Sequence, residues 1–375
     1  MFTFVNRSQT FTMIAYSLFK EKSLSGRYIT IDLLNATCFS KLNAPIVQIG
    51  KSVDGEILKA FSIGRGATKV LMWSQMHGNE STTTKAVWDM VNFLGTQDEL
   101  ALSILEQCTL MIVPMLNPDG AKAYTRVNSN QIDLNRDAKE RSQPESRALR
   151  QLFQNFKPHF CFNLHDQRTL FSAGNVAKPA TVSFLSPASN KERDLTPNRE
   201  VAMQVIVAMN NKLQELISGQ VGRYDDGFND NCVGDAFQMA GVPTILFEAG
   251  HYPKDYQREK TREYIFYALV EALTTIANNT FPNYSTSDYF KIPENEKLFF
   301  DFIVDNANSV NPNIEIGHRI GIRYKEVLEN GAILFKPEIA EIGLLTEYFG
   351  HETWDCSDSV ENLPAEIMDL VLTVS

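Results

Sequence analysis

The sequence predicts an α/β fold, with a central sheet flanked by helices, followed by a small β-rich domain. Short apolar runs typical of buried strands alternate with helical patterns between residues 46 and 277. This alternation stops at a polar stretch with two prolines, residues 278–296, which we interpret as a linker. Beyond it, strand-like segments are separated by glycines. A chain of 375 residues is long enough for one large domain and a smaller one.

The predicted elements follow one another along the chain. The first 45 residues form a lead-in, with a short helical segment around Ile14 to Lys22. A pair of strands comes next, because Asp54-Gly55 is a turn between the strand-like runs 47–52 and 57–63. The later predicted strands are 69–74, 108–114, 160–164 and 244–248, and the predicted helices are 82–94, 144–156, 199–217 and 256–277. The predicted strands after the linker are 298–304, 318–324 and 332–336. We therefore divide the chain into a lead-in (1–45), an α/β domain (46–280) and a β-rich C-terminal domain (297–375).

Composition argues against several classes of protein. The net charge of -10 argues against a surface for nucleic acids or anionic membranes. Five dispersed cysteines form neither a disulfide framework nor a thiolate zinc site. No run approaches 18 apolar residues, and the N-terminus lacks a basic segment followed by a long apolar stretch. We therefore predict a cytoplasmic protein, unless a leader precedes this sequence.

Three residues that follow apolar runs have the chemistry of metal ligands. His77 and Glu80 come after the run 70–73, and His165 directly follows the run 160–164. A lone histidine in this position is more often a core residue than a ligand. Strand ends at one sheet edge are, however, where α/β enzymes keep their chemistry, and this favours a shared site. Two histidines and one glutamate leave an open coordination position, which is typical of catalytic rather than structural zinc.

Glu248 is a candidate general base. It follows the apolar run 244–247, and a carboxylate there is costly unless the strand opens onto a polar cleft. A salt-bridge partner or an acid at a helix N-terminus is the structural alternative. In a metal site, the carboxylate can take a proton from a water molecule and pass it to a leaving amine.

The loop between the predicted strand 108–114 and the helix 144–156 supplies polar groups. Arg136 presents a planar fork that matches a carboxylate, and Asn135 adds a neutral donor. Arg126 can supply positive charge to a developing oxyanion. Each arginine alone has the structural alternative of a surface residue, and Asn117-Pro-Asp-Gly120 alone is only a turn.

Taken in order, these motifs resemble the M14 family of zinc carboxypeptidases over roughly residues 45 to 280. The motifs that carry the resemblance are His77-x-x-Glu80, Asn117-Pro-Asp-Gly120, Asp133-Leu-Asn-Arg136, His165 and Glu248. The resemblance implies a zinc-carboxypeptidase-like α/β fold, with a mixed twisted sheet of about eight strands, and one zinc ion per chain.

The resemblance also implies a role for each site residue. The implied zinc ligands are His77, Glu80 and His165, and the implied general base is Glu248. The implied substrate contacts are Arg126, which polarises the scissile carbonyl, and the pair Asn135 and Arg136, which binds the terminal carboxylate. Asp133 matches the acid that hydrogen-bonds a ligand histidine.

Two departures from the family pattern leave alternatives open. No motif fixes the tyrosine that covers the substrate in the family, and Tyr224 is the nearest candidate before Glu248. The sequences around His77, His165 and Glu248 also resemble the deacylase branch of the superfamily, with succinylglutamate desuccinylase and aspartoacylase. That branch carries a C-terminal β domain, whereas Asn117-Pro-Asp-Gly120 fits the peptidases better.

The predicted function is hydrolysis of an amide bond next to a free carboxylate by a zinc-dependent enzyme. The leading substrate is a peptide trimmed at its C-terminus, and the alternative is an N-acyl amino acid. A non-catalytic peptide-binding module is disfavoured, because nearly every catalytic position carries the expected residue type. The position of the C-terminal domain discriminates between the two substrates. A domain that covers the zinc site restricts access and favours N-acyl amino acids, whereas an open cleft favours peptides. No motif indicates the oligomeric state.

Overall fold

A computed structural model describes residues 14–357 and 363–374 of the chain. Its strands are β1 (Ile46–Lys51), β2 (Ile57–Gly64), β3 (Thr68–Ser74), β4 (Cys108–Val113), β5 (Phe160–Asp166), β6 (Ser172–Ala173), β7 (Val182–Leu185), β8 (Val221–Arg223), β9 (Thr244–Ala249), β10 (Asn295–Glu296), β11 (Phe299–Asp305), β12 (Arg319–Glu329), β13 (Ala332–Gly343) and β14 (Phe349–Asp355). Its α-helices are α1 (Ile31–Leu34), α2 (Thr82–Leu94), α3 (Glu99–Gln107), α4 (Pro118–Ala123), α5 (Pro144–Phe156), α6 (Pro197–Gln214), α7 (Val233–Met239), α8 (Glu259–Ala277), α9 (Thr286–Tyr289) and α10 (Ala365–Leu372). None of the helices in the described residues is both long enough and apolar enough to cross a membrane.

The α/β domain is built on a mixed sheet of eight strands, in the order β1-β2-β4-β3-β5-β9-β7-β8. β3 pairs in parallel with β4 and β5, and β5 pairs in parallel with β9, whereas β1, β2 and β7 join the sheet through antiparallel pairs. The parallel strands at the centre of such a sheet are apolar along their length, because both faces of the sheet are covered. Val70 to Trp73 in β3 are accordingly fully buried. The predicted fold class is confirmed.

Helices pack on both faces of this sheet. On one face, a large core includes side chains from α2, α3, α6 and α8, among them Val87, Ile104, Met203 and Leu269. On the other face, α5 and α7 contribute to a smaller core, in which Phe153 and Phe237 stack with ring centroids 4.0 Å apart. The sheet is thus a rigid layer whose edges are the places where polar side chains can gather.

The register of the parallel strands decides which side chains meet at one edge. His165 near the end of β5 is the register partner of Glu248 in β9. Trp73 in β3 aligns with Asn163, and His77 follows β3 after a turn in which Gln75 has a φ of 48°. The carboxyl ends of three neighbouring strands therefore bring these histidines and the glutamate to the same edge.

The C-terminal sheet has the strand order β13-β12-β11-β14. β12 and β13 form a hairpin whose turn, Asn330-Gly331, has positive φ at both positions, as two-residue hairpins favour. Helix α10 contributes Ile367 and Val371 to the core of this sheet, together with Ile320. The predicted strand-rich C-terminal domain is confirmed, and α10 is an addition that the sequence did not predict.

The stretch that we interpreted as a linker, residues 278–296, is a packed connection. It contains a 3₁₀ helix (Phe281–Asn283), α9 and β10, and β10 pairs with β6. Tyr289 in α9 is fully buried, and its hydroxyl oxygen accepts a hydrogen bond from the Ser186 backbone N–H. The sequence did not predict these elements, because elements of two to four residues leave no periodic pattern.

The C-terminal sheet packs on the α/β domain through aromatic and histidine side chains. His351 in β14 lies with its ring centroid 4.2 Å from that of His251, and its Nε2 lies 2.8 Å from the Thr169 carbonyl oxygen. Tyr256 and Tyr324 meet across the same boundary at 5.0 Å. Burial lowers the pKa of His351 to about 4, and burial followed by the proximity of His351 lowers the pKa of His251 well below its usual range.

We expect this histidine pair to make the free energy of unfolding fall on acidification. An unfolded histidine binds a proton near pH 6.5, whereas the folded protein keeps both rings neutral until the pH approaches their lowered pKa values. The unfolded state therefore binds more protons below about pH 6.5, and each ring lowers stability by up to about 2 kcal/mol by pH 5. Urea unfolding of the wild type and of His251→Phe, at about pH 7.5 and about pH 5, measures this. An unchanged pH dependence in the variant would contradict the prediction.

Candidate active site

The three predicted metal ligands lie together at the edge of the sheet. His77 follows β3, Glu80 comes shortly before α2, and His165 lies near the end of β5. Nδ1 of His77 is 2.8 Å from Glu80 Oε1, and Nδ1 of His165 is 2.8 Å from Glu80 Oε2 and 3.0 Å from Nδ1 of His77. One potential ligand atom from each residue lies within 4.8 Å of the others, and all three side chains are buried. The arrangement is compact enough for one ion to contact all three.

The chemistry of these donors fits a divalent cation such as zinc. Oδ1 of Asp133 lies 3.0 Å from Nε2 of His77, so that a ring proton on Nε2 would donate to this carboxylate and leave the Nδ1 lone pair directed toward Glu80 and His165. Two ring nitrogens 3.0 Å apart beside a carboxylate repel each other unless a proton or a cation lies between them. Two histidines and one carboxylate are a ligand set of catalytic zinc.

Helix α4 packs closely against the turn that contains His77 and Glu80. The backbones of Gly78 and Gly120 approach so closely that a Cβ on Gly78 would lie 1.9 Å from the Gly120 carbonyl carbon. Asn117 caps α4 by accepting a hydrogen bond from Gly120 N, and its Nδ2 donates to the carbonyl oxygen of Met76. The Asn-Pro-Asp-Gly motif is therefore more than a turn, because it also fixes the segment that leads to His77.

Arg126 is linked to the same cluster through Asp133. Its Nε lies 3.0 Å from Asp133 Oδ2, and its NH1 lies 3.4 Å from Glu80 Oε1. Burial raises the pKa of Asp133, but the hydrogen bond with His77 and the charges of His77 and Arg126 outweigh it and hold the pKa well below the usual range. The Arg126 side chain is 48% exposed, so that its remaining donors are open to a ligand.

Glu248 faces the cleft from β9, the strand that pairs with the His165 strand β5. Its Oε2 is buried and has no hydrogen-bond partner among the described residues. Burial, followed by the charges of Glu80 and Asp166, raises the pKa of Glu248 well above its usual range. A buried carboxyl oxygen without a partner is costly for a fold, and it is typical of a group kept for proton transfer.

A cleft of about 360 Å³ joins the three ligands, Arg126 and Glu248 to Asn135, Arg136 and Tyr224. Asn135 Oδ1 accepts a hydrogen bond from Val233 N, so that its amide group is oriented, while Arg136 is exposed. Tyr224 follows β8, and burial, then the charges of Glu248 and Glu80, raises the pKa of its hydroxyl. The cleft therefore brings together every residue of the predicted site except Asp133, which supports it from behind. A larger cavity of about 640 Å³ lies beside α2, away from these residues.

The sequence was compared with models of known protein families to find the family to which the chain belongs. A family model described as zinc carboxypeptidase matches residues 41–282. The chain belongs to the zinc carboxypeptidase family. The match covers the α/β domain and ends before the C-terminal sheet, which is consistent with the extent of the resemblance seen in the sequence.

Individual carboxypeptidases are similar over shorter stretches. Probable carboxypeptidase 2 of Arthroderma benhamiae is 28% identical over 113 residues, which cover 30% of this chain and 21% of that protein. Carboxypeptidase SOL1 of Arabidopsis thaliana is 31% identical over 125 residues, covering 28% of this chain and 25% of that protein. The chain thus spans about a fifth to a quarter of the length of these relatives.

Solved carboxypeptidase structures share the fold. A metallo-carboxypeptidase from Burkholderia cenocepacia aligns with a TM-score of 0.53 at 18% identity, over 66% of this chain and 68% of that one. Thrombin activatable fibrinolysis inhibitor aligns with a TM-score of 0.54 at 15% identity, over 72% of this chain and 81% of that one. The carboxypeptidase fold is therefore retained at low sequence identity.

Some side chains of the cleft were not predicted from the sequence. Arg168 and Phe171 line it from the segment after β5, and Asp235 lines it from α7. Asp166 organises the site from behind, because its carboxylate accepts hydrogen bonds from the first amides of α2 and its N–H donates to Glu80. Asp166 directly follows His165, a predicted ligand, and this position was a usable signal, whereas Asp235 lies in a helix that the sequence did not predict.

Proposed function

We propose that this member of the zinc carboxypeptidase family is a zinc-dependent enzyme that removes C-terminal residues from peptides. The observation that carries the proposal is the composition of one cleft. Two histidines and a glutamate that can share one cation, a glutamate whose buried Oε2 is unpaired among the described residues, and an Asn-Arg pair all line it. These are the groups that amide hydrolysis next to a free carboxylate requires.

Each side chain has a proposed part in the reaction. Arg136 pairs with the terminal carboxylate of the substrate, and Asn135 adds a donor to it. Arg126 stabilises the negative charge that develops on the scissile carbonyl oxygen. Glu248 takes a proton from the attacking water and donates it to the leaving amine. Tyr224 covers the bound substrate from the β8 side of the cleft.

His77, Glu80 and His165 are the proposed zinc ligands. Zinc, when bound, supplies a Lewis acid for the scissile carbonyl and for the attacking water. Asp133 holds the His77 ring in the tautomer that leaves Nδ1 free to bind the metal, and its other oxygen orients Arg126. One carboxylate thus serves both the ligand set and the arginine.

The position of the C-terminal sheet favours peptides over N-acyl amino acids. The residues that line the cleft all lie between positions 77 and 248, and none belongs to the C-terminal sheet. A cleft without such a roof leaves room for a chain that extends away from the scissile bond. N-acyl amino acids remain the second candidate, because they also present a carboxylate beside the amide.

A substrate panel tests the proposal directly. The zinc-loaded protein is assayed with blocked dipeptides, longer peptides and N-acyl amino acids, each with a free and an amidated terminus. We expect release of the C-terminal residue from peptides with a free carboxylate. Activity confined to N-acyl amino acids would replace the peptidase proposal with a deacylase.

We expect Arg136→Ala to raise KM for such peptides by roughly 10- to 100-fold, because a hydrogen bond to a charged group contributes about 1.5–3 kcal/mol. We expect a smaller change in kcat, since the terminal carboxylate is bound in both the ground state and the transition state. Steady-state kinetics measures both, with Arg65→Ala as the control, because Arg65 pairs with Glu106 on the surface. A variant that still prefers free over amidated termini as strongly as the wild type does would contradict the assignment.

A further inference from the structure

We propose that Glu326, a residue of the C-terminal sheet, positions Arg126 in the cleft through Tyr124. The sheet contributes no lining residue to the cleft, yet its β12–β13 hairpin contacts the loop that carries Arg126. The inference rests on the proposed function for the part that Arg126 takes in the reaction. It gives the C-terminal sheet a part in the chemistry of a site that it does not enter.

The Glu326 carboxylate lies between two buried side chains, Arg27 of the lead-in and Tyr124 of the α/β domain. Its Oε1 is 3.1 Å from NH1 of Arg27, and its Oε2 accepts a hydrogen bond from the Tyr124 hydroxyl. The side chains of Glu326 and Arg27 are only 17% and 5% exposed. A buried carboxylate with two partners fixes the distance between them, because moving either partner leaves a buried polar group unpaired.

Tyr124 transmits this constraint to Arg126, two residues further along the chain. It ends α4 in the left-handed region, with a φ of 55°, so that the chain turns sharply there. Thr125, the residue between them, accepts a hydrogen bond at 3.2 Å from the backbone N of Asn79. The backbone before Arg126 is therefore held between Glu326 on one side and the turn containing His77 and Glu80 on the other.

Arg126 depends on this backbone for its placement. Its guanidinium is half exposed, and its ion pairs among the described residues are with Asp133 and Glu80. These two carboxylates orient the guanidinium, and the backbone of the loop sets the point from which the side chain reaches them. A shift of the loop by a fraction of an ångström moves the guanidinium relative to the scissile carbonyl.

Arg27, the other partner of Glu326, is hydrogen-bonded to the residue after Glu80, one of the proposed metal ligands. The carbonyl oxygen of Arg27 accepts a hydrogen bond at 2.6 Å from Oγ of Ser81, the residue after Glu80. The same carboxylate is thus linked to Arg126 through Tyr124 and to the neighbourhood of Glu80 through Arg27. Glu326 holds the two segments at a fixed separation.

Other contacts hold the C-terminal sheet in place, so that the role of Glu326 is separable from docking. His351 lies 2.8 Å from the Thr169 carbonyl oxygen, Thr169 donates to Asp301, and Phe299 N donates to the carbonyl oxygen of Leu170. These bonds lie on the segment after β5, away from Tyr124. Loss of the Glu326 contact therefore leaves the sheet attached.

The kinetic test compares Tyr124→Phe and Glu326→Gln in the full-length, zinc-loaded protein. Glu338→Gln is the matched control, because Glu338 lies on the same hairpin in an exposed pair with Lys325. We expect kcat to fall on the order of tenfold in both test variants, with KM nearly unchanged, because a misplaced catalytic group lowers the rate more than it weakens binding. We expect the control to match the wild type. In the Arg126→Ala background, Tyr124→Phe should cause no further loss.

Hydrogen exchange gives a readout that does not depend on turnover. We expect the amides of residues 79–81 and 124–128 to exchange faster in both test variants than in the wild type and in Glu338→Gln. Unchanged exchange at these amides would overturn the inference. The inference would also be overturned if Tyr124→Phe lowered kcat in the Arg126→Ala background by as large a factor as it does in the wild type. If the wild type hydrolyses none of the peptides, the proposed function fails, while the exchange result still decides whether Glu326 holds this loop.

Discussion

Glu248→Gln is expected to bind zinc and peptide like the wild type and to lose roughly 10²- to 10⁴-fold in kcat. The amide has nearly the shape of the carboxyl group but cannot take a proton from the attacking water. Oε2 of Glu248 has no hydrogen-bond partner among the described residues, so the substitution removes no hydrogen bond at that atom. The loss should therefore fall on the chemical step and not on the stability of the protein.

Three measurements on the same preparation test this expectation: zinc content, peptide binding and kcat. Glu338→Gln provides the same chemical change at an exposed position of the β12–β13 hairpin. If Glu248→Gln retained turnover within a few-fold of the wild type with its zinc in place, the assignment of Glu248 as general base would be wrong. A protein that binds peptides with zinc but hydrolyses none of them, even as wild type, would instead be a peptide-binding module.

His165→Ala is expected to abolish both zinc binding and turnover. Loss of one of three ligands should lower zinc affinity by more than the roughly 10- to 100-fold that follows from losing a hydrogen-bond partner of a ligand. The His77 and Glu80 side chains that remain offer too few donors for a tight zinc site. Zinc content after dialysis, measured beside peptide hydrolysis, reports both losses.

His159→Ala is the matched control for this variant. His159 directly precedes β5, at the opposite end of the strand that carries His165, and it is exposed. We expect the His159→Ala variant to bind one zinc per chain and to turn over peptides at the wild-type rate. Retention of stoichiometric zinc by His165→Ala would remove this histidine from the ligand set. In the wild type, a chelator should abolish hydrolysis, and added zinc should restore it.

The sequence predicted the sheet well because its central strands are buried on both faces. Runs such as Val70 to Trp73 have no polar face, and this leaves a clear signal of a strand between helices. The short strands β7 and β8, of four and three residues on one side of the sheet, gave no comparable signal. The same lack of periodicity hid α7 and the elements between 278 and 296. Periodic burial makes an element predictable, and short elements have too little of it.

The candidate site was predictable to the extent that its residues follow strands or recognisable turns. His165 and Glu248 each close an apolar run, and the structure makes them register partners. Glu326 could not be predicted, because its importance comes from contacts with Arg27 and Tyr124 that lie roughly 300 and 200 residues away along the chain. Contacts of this kind depend on how two sheets pack, and no local pattern records them.

The pairing of His165 with Glu248 has a consequence for how such an enzyme changes over time. Neighbouring strands lie about 4.8 Å apart, and this spacing comes from backbone hydrogen bonds that hardly depend on side-chain identity. The distance between the proposed ligand and the proposed base is thus set by the backbone hydrogen bonds of the sheet. Loops such as the one bearing Arg168 can lengthen, shorten or mutate without altering it. Selectivity for substrates can therefore diversify while the reacting distances stay constant.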